Sequence, residues 1–290
     1  MKVLIFAILL SFGLFTIQTS AQETPNFKDL LTRTLSQSKR ANQTGIKLSE
    51  VCNVDEDIVA ARVFADYGAM FVAALANPTG IKFPNNCILD SKGVQTYQQK
   101  ASPTIQSIGR VQITLQKPAM DALLDAIAEA KQKNLVISPR GGSESASRSY
   151  EDTTRLWNSR FLPGLNYWVK KGKIRREDAE VVKRMNIHDQ VAQVLEWESQ
   201  RLWFSTAFDK SILYSVAAPG ASQHIFMLAL DVEQFGNKQV RDILAKHGWF
   251  QTVQSDLPHF TYLGVKRDEL SKYGLVKKVV SGQEFWIPNL

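Results

Sequence analysis

Residues 219–231 read Pro-Gly-Ala-Ser-Gln-His-Ile-Phe-Met-Leu-Ala-Leu-Asp, and residues 256–262 read Asp-Leu-Pro-His-Phe-Thr-Tyr. Together they contain His224, Asp231 and His259. Asp231 stands inside an apolar stretch, where an ionised carboxylate is costly unless it is paired or bound to a metal ion. Imidazoles and carboxylates are also the ligands of hydrolytic zinc ions, with about three protein ligands and one position for water. The two segments therefore form a candidate zinc site, provided that the fold brings them together.

The spacing of the first two candidate ligands sets a geometric condition. Side chains alternate along a strand, so a gap of seven residues in a straight strand places His224 and Asp231 on opposite faces. The two can converge only if residues 222–226 form a bent loop. The alternative is that His224 caps a turn, Asp231 pairs with an arginine and His259 is a hydrogen-bonded core residue. Spacing alone does not decide between these alternatives.

The apolar periodicity around these segments predicts a mixture of helices and strands. Single helices are predicted over residues 55–75, 118–127 and 237–247. Two or three more helices are predicted within residues 150–204. Strands are predicted at residues 109–116, 135–138, 211–216, 226–232, 249–254 and 259–263. Strict strand–helix–strand alternation is missing, which favours an α+β fold over a parallel sheet. Residues 22–50 are polar without a sustained apolar period, and they are predicted to be a linker.

The N-terminus has the pattern of a secretory signal. Lys2 precedes an apolar run over residues 3–17, and small side chains follow up to Ala21. The run has about fifteen residues, whereas a membrane-spanning helix needs ~20. We therefore expect residues 1–21 to be a signal peptide that is cleaved after Ala21. The mature protein is then exported, to a periplasm or to the outside of the cell and its wall, without a stable membrane anchor.

The two cysteines take their meaning from that compartment. In an oxidising space Cys52 and Cys87 are more often a disulfide than a metal site or a nucleophile. Such a bridge contributes roughly 4 kcal/mol by restricting the unfolded chain. A reactive thiol is the alternative.

Charge and common catalytic motifs narrow the possible functions. The chain carries 35 basic and 28 acidic residues, a mild excess without a long basic run, so charge does not predict a nucleic-acid partner. A His-Glu-x-x-His helix, a Walker loop, a Gly-x-Ser-x-Gly elbow and a Cys-x-x-Cys pair are all missing from the sequence. The candidate zinc site therefore remains the leading indication of chemistry.

The residues of that site also resemble a known family. The order Ser-x-His-x-x-x-x-Ala-x-Asp, with a His-Phe-x-Tyr segment about thirty residues later, resembles the VanY-type D-alanyl-D-alanine carboxypeptidases of the M15 zinc peptidases. The matching residues are Ser222, His224, Ala229, Asp231 and His259 to Tyr262. Upstream, the block from Ser147 to Glu151 resembles the Arg-Ser-Tyr-Glu block of the family. The resemblance covers roughly residues 118–265.

The resemblance implies a fold, a cofactor and a set of roles. The fold would be the α+β fold shared with the hedgehog N-terminal domain, an antiparallel sheet with packed helices, here preceded by a small α/β N-terminal region. Zn²⁺ would be held by His224, Asp231 and His259. Asp256 would act as general base and acid where the family has a glutamate, and Arg148 would bind the oxyanion or the substrate carboxylate. Ser222 and Tyr150 would contact the substrate.

Four positions depart from the family pattern. Met227 replaces a usual glycine, Pro258 replaces a tryptophan, Thr153 stands where a glutamine often occurs, and Asp256 replaces the glutamate. None of the four is a metal ligand. The departures therefore bear on turnover more than on zinc binding.

The expected function is hydrolysis of the terminal D-Ala-D-Ala bond of peptidoglycan stem peptides. One alternative is an endopeptidase of the same family. Another is a non-catalytic, zinc-holding protein that binds the cell wall. A further alternative makes residues 51–110 a dominant protein-interaction region. The expected organisation is a signal peptide (1–21), a linker (22–50), an N-terminal region (51–115) and a zinc peptidase-like domain (116–290).

Overall fold

The fold combines helices with short antiparallel strands. The computed structural model describes residues 23–37, 39–40, 43–44, 46–77 and 79–290. The predicted signal peptide and its cleavage after Ala21 lie outside the described residues. The α-helices are α1 Phe27–Gln37, α2 Leu48–Val51, α3 Ile58–Tyr67, α4 Phe71–Ala76, α5 Ser91–Lys100, α6 Lys117–Gln132, α7 Tyr150–Lys170, α8 Arg176–Val182, α9 Ile187–Ser199 and α10 Lys238–Lys246. The strands are β1 Lys39–Arg40, β2 Gln43–Thr44, β3 Thr104–Ile108, β4 Val111–Leu115, β5 Ala229–Asp231, β6 Trp249–Phe250, β7 His259–Tyr262, β8 Leu275–Val280 and β9 Gln283–Pro288.

A three-stranded antiparallel sheet positions two of the candidate ligands. Its order is β5-β7-β6, and Asp231 of β5 lies opposite His259 of β7. Side chains at paired positions of an antiparallel ladder stand on the same face, about 5 Å apart at Cβ. Helices and antiparallel strands together confirm the α+β class.

The segment from 150 to 204 forms three helices, as predicted. Helix α7 begins with a capping box in which the hydroxyl of Ser149 accepts from the backbone N–H of Asp152, while the Asp152 carboxylate accepts from the Ser149 backbone. Trp157, Phe161 and Leu165 follow at intervals of four residues and are fully buried. The tryptophan at position 157 is therefore a core residue, as its helical spacing predicts.

The linker prediction is wrong for α1. Phe27, Leu31 and Leu35 recur every four residues, and all three are completely buried in the core. The backbone N–H of Phe27 donates to the carbonyl of Asn289, which ties the helix to the C-terminal end of the chain. A narrow apolar stripe within a polar stretch is sufficient for docking when a complementary surface exists elsewhere in the fold.

The predicted disulfide between Cys52 and Cys87 is present, with the two Cα atoms 5.3 Å apart. Buried residues before and after residue 116 belong to one hydrophobic cluster that runs from Phe27 to Leu275. The predicted division at residue 116 is therefore not a division between two separate cores.

Several predicted strands are shorter than expected or are missing. Residues 135–138 form no strand, and Pro139 makes an isolated bridge to Val232. Residues 212–214 form a 3-10 turn in place of the strand predicted at 211–216. The strand predicted at 226–232 begins only at Ala229. The predicted helix over 55–75 is interrupted by a 3-10 turn at residues 68–70, and the hairpin β8–β9 was not predicted.

The segment Ile58–Ala76 is long and apolar enough to span a membrane by composition alone. Of its most apolar window, 67% is buried inside the protein. Most of its apolar side chains are therefore part of the hydrophobic core, whereas Ile58 at its start is exposed.

Candidate metal centre

His224, Asp231 and His259 converge on one point. His224 Nε2 lies 3.1 Å from His259 Nδ1 and 3.4 Å from Asp231 Oδ1, and the last two atoms are 3.3 Å apart. Ligand atoms at about 2.0–2.1 Å from a tetrahedral zinc ion are about 3.3 Å from one another, by simple geometry. The three atoms thus have the spacing of one face of a zinc coordination tetrahedron, and the residues fit the ion that the sequence resemblance implies.

A tight bend brings His224 to the sheet. The backbone N–H groups of Ile225, Phe226 and Met227 donate to the carbonyls of Ser222, Gln223 and His224, respectively. Met227 has a φ of 54°, in the left-handed region that favours glycine. The condition set by the seven-residue spacing is therefore met, because the chain turns before β5 begins. Met227 is also the position at which the sequence resemblance leads one to expect a glycine.

The surroundings favour the protonation states that metal binding needs. Burial lowers the pKa of His224 to about 4, assisted by the positive charge of Arg148. Burial alone raises the pKa of Asp231, but attraction to and hydrogen bonding with His224 and His259 outweigh it and hold that pKa well below its usual value. At neutral pH, His224 is therefore a neutral imidazole and Asp231 a carboxylate, as ligands must be. The Nδ1 atom of His224 is buried without a hydrogen-bond partner among the described residues.

Arg148 contacts the carboxylate oxygen of Asp231 that does not face the histidines. Its Nη2 donates to Asp231 Oδ2 at 3.0 Å, and its Nε donates to the carbonyl of Glu144. Asp231 therefore divides its two oxygens, with Oδ1 toward the histidines and Oδ2 toward the arginine. The pairing of Asp231 with an arginine, which the sequence offered as an alternative to the metal site, exists together with the cluster.

Asp256 comes three residues before His259 on the loop that enters β7. The backbone N–H of His259 donates to the carbonyl of Asp256, which closes a turn between the two residues. Burial raises the pKa of the Asp256 carboxyl, and the charge of Asp231 adds to this effect, against the attraction of His259 and Arg148. A carboxyl with a raised pKa is better matched to proton transfer near neutral pH.

These groups line one cavity of about 420 Å³. His224, His259, Asp256, Arg148 and Ser222 all contribute to its walls. Residues of α7 and of the loop that follows α9 also line the cavity, and they add further charged and polar groups: Arg160, Asp209, Lys210 and Tyr214. The cavity thus combines a candidate metal centre, a carboxyl with a raised pKa and cationic side chains.

Tyr150 is not brought into this cavity. It is the first residue of α7 and lines a separate cavity of about 390 Å³ together with Asp57, Asp90 and His188. Arg148 precedes the helix cap and lines the first cavity, whereas Tyr150 follows the cap and lines the second. Arg148 and Tyr150, two positions apart in the predicted block, thus line different cavities.

The sequence did not single out Gln223, which is fully buried beside the cluster. Its Oε1 lies 2.7 Å from His259 Nε2 and accepts from the Thr261 hydroxyl at 2.5 Å. A buried amide between Ser222 and His224 has no periodic signal of its own. Only the return of β7 past the bend shows that it contacts His259.

The chain has a distant likeness to solved structures of VanY enzymes. Neither a protein-family model nor a curated protein matches the chain. One similar solved structure is a mutant of the vancomycin-resistance D,D-pentapeptidase VanY from a VanB-type resistance cassette, in complex with Zn(II): 13% identity, 60% of this chain, 84% of that chain, TM-score 0.33. Another is VanYB in complex with D-alanine-D-alanine: 14% identity, 59% of this chain, 83% of that chain, TM-score 0.33. This is a distant likeness, and it does not establish a shared activity.

Proposed function

We propose that the protein is an exported zinc peptidase of the cell wall, and specifically a D,D-carboxypeptidase that hydrolyses the terminal D-Ala-D-Ala bond of peptidoglycan stem peptides. One observation carries the proposal. Three ligand atoms spaced 3.1–3.4 Å apart lie beside a cavity that also contains Asp256 and Arg148. The order of the motifs in the sequence, which resembles the VanY-type enzymes, names the substrate.

Each residue of the site has a proposed role. His224, Asp231 and His259 would hold the zinc ion. When bound, zinc polarises the scissile carbonyl and lowers the pKa of its water to ~7. Asp256 would accept a proton from the attacking water and return it to the leaving amine. Arg148 donates to Asp231 Oδ2 and lines the cavity, where its guanidinium would meet a substrate carboxylate or a developing oxyanion.

Further parts of the proposal concern the fold and the compartment. The antiparallel sheet and its packed helices would be the hedgehog-type arrangement, carried mainly by residues 116–290. Residues 1–21 would be removed on export. The disulfide between Cys52 and Cys87 supports an oxidising compartment, since such bridges persist mainly outside the cytosol.

The second candidate function is a zinc-holding protein that binds cell-wall peptide without cutting it. Asp256 favours this candidate, because its side chain is one methylene shorter than the glutamate of the VanY-type enzymes. A shorter carboxyl must be brought closer by the backbone or act through a second water.

Zinc analysis and product masses test both candidates. The exported form is purified, its zinc content is measured, and it is incubated with an acyl-D-Ala-D-Ala peptide and with muropeptides. Loss of a single alanine supports the carboxypeptidase. A cut elsewhere in the stem or cross-link replaces it with an endopeptidase. One zinc per chain without any product supports the binding protein, and a chain that binds no zinc contradicts both.

A further inference from the structure

We propose that Gln223 is a positioning residue that keeps a proton on Nε2 of His259, so that Nδ1 is the nitrogen of this imidazole that can bind a metal ion. The inference deepens the proposed function, because it rests on the same candidate metal site. The hydrogen-bond donors and acceptors around the His259 ring determine which of its nitrogens carries a hydrogen.

The backbone carbonyl of Tyr67 fixes the orientation of the Gln223 amide. Its Nε2 donates to the backbone carbonyl of Tyr67 at 2.8 Å. A carbonyl oxygen has only lone pairs, so the NH₂ group of the amide must be the end that faces Tyr67. The other end of the amide, Oε1, therefore points toward His259 and Thr261.

The orientation of the Gln223 amide determines which nitrogen of His259 carries a proton. The Oε1 of Gln223 is an acceptor only, and it lies 2.7 Å from His259 Nε2. Nε2 must therefore carry a hydrogen, which leaves Nδ1 as the nitrogen available to a metal ion. Nδ1 lies 3.3 Å from Asp231 Oδ1 and 3.1 Å from His224 Nε2.

The hydroxyls of Thr261 and Thr252 are consistent with a proton on His259 Nε2. Thr261 Oγ1 lies 2.5 Å from Gln223 Oε1, so its hydroxyl donates to the amide. Thr252 Oγ1 lies 2.6 Å from Thr261 Oγ1 and therefore donates to it in turn. All four groups are buried, so bulk water does not provide alternative partners. The direction of each hydrogen bond follows from the single carbonyl of Tyr67.

The consequence is chemical as well as geometric. A metal-binding histidine that donates its other N–H to an oxygen is held in orientation and is a more basic ligand, and loss of such a partner lowers metal affinity by about 10–100-fold. In this protein the partner is a neutral amide on the bend that also carries His224. Gln223 thus links the orientation of one ligand to the backbone position of another.

The test uses Gln223→Leu and the matched control Thr261→Val. Both remove a hydrogen bond at Gln223 Oε1, but only the first removes the acceptor for His259 Nε2. In the zinc-free protein, ¹⁵N NMR of the imidazoles reports which nitrogen carries the proton. We expect Nε2–H in the wild type and in Thr261→Val, and a mixture of tautomers in Gln223→Leu. Zinc affinity from competition with a chelator should fall about 10–100-fold in Gln223→Leu and stay unchanged in Thr261→Val.

Two results would overturn the inference. One is a wild-type His259 whose Nε2 carries no proton, and this measurement needs no variant, so it decides even if Gln223→Leu does not fold. The other is a folded Gln223→Leu with the wild-type tautomer and zinc affinity. Gln223→Glu restores an acceptor and should recover the wild-type tautomer. A wild type with the expected tautomer that binds no zinc would refute the proposed function while leaving the assignment of His259 intact.

Discussion

At the scale of single residues, the two oxygens of Asp231 explain how a carboxylate is tolerated inside an apolar stretch. Oδ1 faces two histidines and Oδ2 accepts from Arg148, so the side chain is paired on both sides. Unpaired, the same carboxylate would be costly to bury. The apolar surroundings of Asp231 thus indicated from the sequence that this carboxylate would be paired or bound to a metal ion, and the structure shows that its partners are Arg148 and the two histidines.

The proposed role of Asp256 leads to a prediction about activity. Asp256→Asn keeps the size of the side chain and removes its ability to accept a proton. We expect hydrolysis of an acyl-D-Ala-D-Ala peptide to fall by about 10²–10⁴-fold, as is usual for loss of a general base. The zinc content should not change, since Asp256 lies outside the three-ligand cluster. Equal turnover of the variant and the wild type would remove Asp256 from the mechanism.

Met227 leads to a prediction about stability, because two effects oppose each other there. Glycine would relieve a left-handed backbone that costs a side-chain-bearing residue roughly 1–2 kcal/mol. It would also remove a methionine side chain that is 1% exposed, and truncation of a buried methionine costs roughly 2–5 kcal/mol. We expect Met227→Gly to be destabilised by about 2 kcal/mol in urea unfolding. A variant more stable than the wild type would mean that strain outweighs burial.

His224 makes the zinc-free protein sensitive to acid. Its pKa is about 4 when folded and ~6.5 when unfolded, so the unfolded chain binds more protons between these values. The free energy of unfolding should therefore fall by about 3 kcal/mol as the pH drops from 6.5 to 4. Unfolding in urea over this pH range measures the effect, and His224→Gln serves as the control because its side chain does not titrate. Parallel profiles for the two proteins would contradict the prediction.

At the scale of elements, the bend before β5 decides whether a site forms. The sequence predicted a strand from residue 226 and required a bent loop before it, because a straight strand through His224 would have separated that residue from Asp231. Three turn hydrogen bonds and the left-handed Met227 delay β5 until Ala229. A run of apolar residues does not reveal such a bend, because a buried turn and a buried strand have the same composition. The requirement that His224 and Asp231 converge at the candidate metal site predicted the bend, whereas the apolar pattern did not.

A second element of the site, the loop after α9, depends on Glu198. This buried carboxyl accepts from the backbone N–H groups of Phe204 at 3.2 Å and Ile212 at 2.6 Å, and residues 205–217 follow the cavity wall. Glu198→Ala leaves both donors without an acceptor, at a cost of about 1–3 kcal/mol for each buried group. We expect a loss of about 3 kcal/mol in stability and faster amide hydrogen exchange at Phe204 and Ile212.

The matched control for this loop is Glu196→Ala, on the exposed face of the same helix. It should leave the exchange at Phe204 and Ile212 unchanged. Glu198→Gln retains an acceptor oxygen and should be milder than Glu198→Ala. Equal exchange in Glu198→Ala and the wild type would show that the loop does not depend on this carboxyl.

At the scale of the whole molecule, the sequence predicted the class of the fold and the cluster of ligands better than the extent of the core. The disulfide and the order of the helices between 150 and 204 could be predicted from composition and periodicity, which are local properties. The docking of α1 could not, since its contact with Asn289 joins residues that are far apart in the sequence. Gly274, in a left-handed turn, has Phe27 Cα 2.9 Å from the position that a Cβ would occupy, so the close approach depends on glycine there.

This arrangement predicts that the segment called a linker from its sequence stabilises the whole protein. Leu31 is completely buried in the core, and Leu31→Ala should lower the free energy of unfolding by about 3 kcal/mol, within the usual range for truncation of a buried leucine. Arg33→Ala, on the exposed side of the same helix, should change it by less than about 0.5 kcal/mol. Urea unfolding of the full exported chain measures both variants. A true linker would make the two variants equally stable, because neither substitution would then leave a cavity, whereas a docked helix makes Leu31→Ala much the more destabilising of the two.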